Sequence, residues 1–75
     1  MKITGTRSYI KVEIEGKVVE IKGELLVGSF IAYKDTIENW EPPYELEKID
    51  DVMKQKIIEM VINKTKEAYL VITFE

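Results

Sequence analysis

At 75 residues the chain has room for one domain and one core, and with 45 % hydrophobic and 33 % charged residues it falls in the globular rather than the disordered range. It contains no cysteine and no histidine, which excludes disulfides, thiolate metal sites, His-dependent triads and His-ligated zinc. The net charge of −3 conceals an asymmetry: between Asp35 and Asp51, seven acids (Asp35, Glu38, Glu41, Glu45, Glu47, Asp50, Asp51) face the single base Lys48, while the rest of the chain carries a net positive charge.

The first residues, Met1 to Arg7, hold no apolar run of signal-peptide length, and no stretch approaches the roughly 20 apolar residues that span a bilayer. A cytoplasmic chain that binds no membrane is the expectation. Met1 to Thr4 reads as a short extra strand. From Tyr9 to Glu15 the residues alternate strictly, with Ile10, Val12 and Ile14 on one face and Tyr9, Lys11 and Glu13 on the other, the pattern of a half-buried antiparallel strand. Glu15-Gly16 supplies a reversal, because glycine accepts the positive φ of a tight turn. Lys17 to Lys22 returns with Val19 and Ile21 inward. Gly23-Glu24 reads as a second reversal, and Leu25 to Tyr33 as a third strand in which Gly28 marks a bulge, since the alternation changes phase between Val27 and Phe30.

After Lys34 to Glu38, a loop or single turn, the chain changes character at Asn39-Trp40-Glu41-Pro42-Pro43-Tyr44. Two prolines forbid regular structure there, since neither donates a backbone hydrogen bond and each pushes its predecessor from helical angles. Asp50 is the best N-cap for the helix that follows, and Ile49, Val52, Met53, Ile57, Met60 and Val61 fall at spacings of three and four, a stripe that must pack on the sheet. Asn63 to Glu67 ends the helix, and Ala68, Leu70, Ile72 and Phe74 alternate in a last strand. The predicted fold is a single α+β domain over residues 1–75: a small antiparallel sheet, made of a three-stranded meander plus the C-terminal strand, with one helix packed on one face. The insertion point of the last strand and the choice between monomer and homodimer stay open.

Carboxylates are plentiful, but acid/base catalysis needs a pair held across a cleft, and a sheet with one helix leaves little room for one. An enzyme is not expected, nor is a cofactor. Gly23 to Gly28 lacks the lysine and the following helix of a phosphate cradle. Lys2, Arg7, Tyr9, Lys11, Lys17 and Lys22 make a thin basic set, but a pI near 5.0 repels phosphate, so a nucleic-acid-binding sheet is a secondary reading. Trp40 has two readings that can both hold: an indole that closes one end of the core, or an anchor of a protein-binding surface kept preorganised by the prolines and surrounded by acids that speed approach of a basic partner. Helix capping and ordinary solvation already explain several of the acids; the size of the excess is what points to a partner.

Gly5-Thr6-Arg7-Ser8-Tyr9, Gly23-Glu24, Trp40-Glu41-Pro42-Pro43 and the paired isoleucines Ile57-Ile58 together resemble a family of small bacterial immunity proteins of polymorphic toxin systems, the immunity protein 74 family, from roughly Thr4 to Phe74. The resemblance implies an α+β fold, no enzymatic activity, and the binding and neutralisation of a cognate protein toxin. The positions that match its motifs are Arg7, Tyr9, Trp40, Glu41, Pro42 and Pro43; with Glu38 and Tyr44 they form the candidate partner-binding set. An acidic segment suits a basic toxin such as a nuclease, whose own site must attract phosphate. A regulatory or adaptor domain that binds a non-toxin protein through the same surface is the alternative.

Overall fold

The computed structural model describes residues 1–75. Its elements in chain order are β1 (Lys2–Gly5), β2 (Tyr9–Ile14), β3 (Lys17–Leu26), β4 (Ser29–Ala32), a single 3-10 turn at Lys34–Thr36, α1 (Asp51–Thr65) and β5 (Val71–Phe74). The five strands form one curled sheet in sequence order, antiparallel from β1 to β4 and parallel between β4 and β5. The expected α+β architecture is present, with α1 laid against the sheet and the parallel pairing as the departure from an all-antiparallel sheet.

Register explains the core. Ile3 faces Val12, Val12 faces Val19, Ile10 faces Ile21 and Phe30 faces Ile72, so these alternating apolar side chains share one face. Against that face α1 buries Ile57, Ile58 and Val61, and one continuous apolar cluster results. At about 2 kcal/mol for each such side chain removed from water, this stripe holds the helix more firmly than its intrinsic propensity does. Asp50 caps it as expected, its carboxylate accepting from the Met53 N–H at 2.8 Å. The stripe is narrower than the spacing suggested. Val52 is 79 % exposed, whereas its neighbour Met53 is half-buried and packs against the core, so the first turn of α1 reaches the core through Met53 and not Val52.

Two turns decide the sheet. Glu15 and Gly16 both take positive φ (51° and 82°) between the paired residues Ile14 and Lys17, the two-residue hairpin turn that matches strand twist. The second reversal lies not at Gly23-Glu24 but at Val27-Gly28, between the paired residues Leu26 and Ser29, with Gly28 at φ 78°. β3 therefore runs unbroken through Gly23, and Gly28 makes a turn rather than a bulge. Gly23 serves the core by lacking a side chain. A Cβ there would come within 2.5 Å of Cε1 of the Phe30 ring and would collide with the Ile31 carbonyl.

β3 is the shared strand. Its first half pairs with β2, its second half with β4, and Gly23 and Leu25 extend the β2 side by donating to the carbonyls of Ser8 (2.9 Å) and Arg7 (3.1 Å). The remaining edge of its first half is covered by the chain that leaves β4. Tyr33 donates to Lys22 at 2.7 Å, Thr36 Oγ1 accepts from the Lys22 N–H at 3.0 Å, and Glu41 donates to Val18 at 2.7 Å. This route carries Ile37, Trp40 and then Ile49 into the core before α1 begins.

Candidate functional site

The acidic connection is a loop closed at its base. The Ile49 N–H donates to the Glu38 carbonyl at 3.0 Å and Asn39 bridges Lys48, so the chain leaves and re-enters at one place. Two ion pairs tie it to the sheet. Lys11 on β2 meets Glu41 at 3.1 Å, and Lys17 at the start of β3 meets Glu47 at 2.8 Å. The hydrogen bond and the charge of Glu41 hold the Lys11 ammonium above its ordinary pKa, and the hydrogen bond to Glu47 does the same for Lys17. Lys17 also faces the rings of Tyr44 and Trp40, at 5.2 and 5.9 Å from their centroids.

These pairings sort the acids. Glu41 and Glu47 are neutralised against the sheet, and Asp50 is spent on the helix cap. Asp35, Glu38, Glu45 and Asp51 face water with no cationic side chain in ion-pair range. Both prolines are exposed, Tyr44 is 38 % exposed, and Leu46 stands almost fully in solvent at 95 %. The loop therefore presents an apolar tip, Tyr44 and Leu46, beside free carboxylates, on a base closed by the Ile49–Glu38 hydrogen bond and the Asn39–Lys48 bridge.

Of the residues expected to form one surface, the structure brings together Glu38, Glu41, Pro42, Pro43 and Tyr44. Trp40 belongs to the same loop but is 6 % exposed, and of its two readings the one its burial fits is the indole that closes the core. Arg7 lies elsewhere. Arg7 occupies the turn after β1, beside Leu25 at the far end of β3 from Val18, where Glu41 docks. Seven residues of strand separate the two points, roughly 23 Å. Tyr9 sits half-buried on the outer sheet face beside the loop's attachment, since the Lys11 ammonium that meets Glu41 is 5.9 Å from its ring centroid. Sequence reasoning missed Leu46, an isolated leucine between two glutamates whose exposure no periodicity announces, and it missed the lysines that consume two of the acids.

A family model described as Immunity protein 74 matches residues 2–75, nearly the whole chain. The chain belongs to the immunity protein 74 family. Membership in a family of immunity proteins implies neutralisation of a cognate toxin, and the α+β fold is the one the motif resemblance implied. Neither the curated proteins nor the solved structures hold a significant match. No helix is long and apolar enough to cross a membrane.

Proposed function

We propose that this member of the immunity protein 74 family neutralises its toxin by binding alone, without catalysis, and that the Glu38–Ile49 loop is the surface it presents to a basic toxin such as a nuclease. The observation that carries the reading is the loop's construction: a pinned base, a solvent-facing Tyr44 and Leu46, and unpaired carboxylates at Glu38 and Glu45. Preorganisation lowers the entropy lost on docking, the exposed side chains supply contact area, and the free acids draw a positively charged partner. Blocking by such a loop needs no chemistry, because a nuclease whose phosphate-binding surface is covered is inactive.

The test is the association of purified protein with the toxin domain encoded beside its gene. Reversal of Glu38 and Glu45 to lysine is expected to slow association severalfold at low salt and much less at high salt, and Leu46→Asp to weaken the complex. Association that is indifferent to salt and to all three changes would remove the loop from the interface.

A further inference from the structure

The sheet has two edges, and the fold treats them differently. On β5 the outward N–H of Ile72 donates to the Thr65 hydroxyl of α1 at 3.1 Å, so the helix blocks that edge. On β1 nothing does. The Thr6 N–H donates to Tyr9 at 2.8 Å, which marks Thr6 and Tyr9 as a hydrogen-bonded pair; alternation then makes Thr4–Lys11 and Lys2–Glu13 the next such pairs. The N–H and C=O groups of Ile3 and Gly5 consequently point away from β2 into solvent. Such a bare edge is a template for another strand.

Beside it lies the part of the apolar face that α1 leaves open. A groove of about 410 Å³ runs between β1 and the chain entering β5, floored by Ile10, Phe30 and Ile72 and rimmed by Leu25, Leu70 and Arg7. It has room for more than one side chain of a guest. Arg7 is the one charged residue that lines the groove, and it has no carboxylate in ion-pair range. A second copy pairing antiparallel through Ile3 and Gly5 would bring each Arg7 near the other copy's Lys2, cation beside cation. An extended segment of opposite sign meets no such penalty.

We infer that the β1 edge and its groove take up an extended segment of the toxin, which adds to the sheet as a strand, places apolar side chains in the groove and sets a carboxylate against Arg7. This rests on the immunity reading and gives the toxin a second point of attachment, distinct from the acidic loop. A standard interface engages roughly 20–30 residues a side, more than the loop alone provides.

The experiment uses the full chain and the toxin domain encoded beside its gene, rendered catalytically inactive. Arg7→Glu and Leu25→Asp, both at exposed positions, are each expected to weaken binding by about thirtyfold or more, the level of an interface hot spot. Amide exchange read residue by residue is expected to show Ile3 and Gly5 open in the free protein and protected in the complex. If both variants bind normally and those amides stay open while Leu46→Asp still weakens the complex, the strand-addition site is refuted and the loop reading survives. If wild-type protein fails to bind the toxin, both fall. A dimer in light scattering with Ile3 and Gly5 protected in the absence of toxin would assign the edge to a second copy and overturn the inference.

Discussion

The Lys17 ammonium lies 2.8 Å from a carboxylate oxygen of Glu47, thirty residues later in the chain, and from the same position it faces the rings of Tyr44 and Trp40. One side chain at the mouth of the β2–β3 hairpin thus organises one flank of the acidic loop. Because the Lys17 pKa is raised by Glu47, the folded state holds this proton more tightly than the unfolded state. Its stabilisation is fully present below the unfolded value of about 10.4 and is lost as pH rises through the higher, folded value. The melting-temperature difference between wild type and Lys17→Met should therefore be level from about pH 6 to 9 and shrink as pH rises past the unfolded value of about 10.4. A difference that already collapses near neutrality would show that the pair is not what the substitution disturbs.

Trp40→Ala is expected to cost about 3–5 kcal/mol, the range for deleting a buried aromatic. A domain of this length has total stability of that order, so urea titration should find the variant largely unfolded, with Trp40→Phe much milder. Full stability in Trp40→Ala would mean that the indole does not close the core.

Two glycines of β3–β4 should respond differently to alanine. At Gly23 the new methyl meets the Phe30 ring and the Ile31 carbonyl inside the sheet, so a loss at or beyond the upper end of about 1–3 kcal/mol is expected. At Gly28 nothing lies within 4 Å of a Cβ, and only the positive φ of 78° opposes the change, about 1–2 kcal/mol. Equal losses at the two sites would contradict the continuous β3.

Thr65 is the one buried polar side chain, and it works in both directions: its hydroxyl donates to the Val61 carbonyl at 2.9 Å and accepts from the Ile72 N–H. Thr65→Val keeps the shape and removes the acceptor, which should cost about 1–3 kcal/mol and speed exchange of the Ile72 amide. Thr65→Ser should retain that protection. Unchanged exchange in the valine variant would show that α1 does not seal the β5 edge.

Much of this fold was legible where one periodicity governs a segment. The alternation of Ile10, Val12 and Ile14, the Glu15-Gly16 turn and the Asp50 cap each follow from local chemistry, and each stands in the structure. Gly23 was not legible, because glycine has two uses: it permits positive φ, and it makes room. The sequence pattern shows the residue but not the Phe30 ring pressed against it. The parallel seat of β5 was equally hidden, since alternation assigns a strand its faces but not its neighbour. At the candidate site the acidic excess could be counted, whereas its division into Glu41 and Glu47, which are paired, and Glu38 and Glu45, which are free, depends on which lysines the hairpin brings near.

The seclusion of Trp40 has a practical side. It is the only indole in the chain, and it sits where the loop, the hairpin mouth and the core converge. Indole emission from this protein, excited at wavelengths its tyrosines do not absorb, is therefore a single-site signal: a red shift reports water reaching that junction, and quenching on addition of toxin reports a rearrangement there. The molecule carries its own optical gauge at the joint, and no label need be attached to read it.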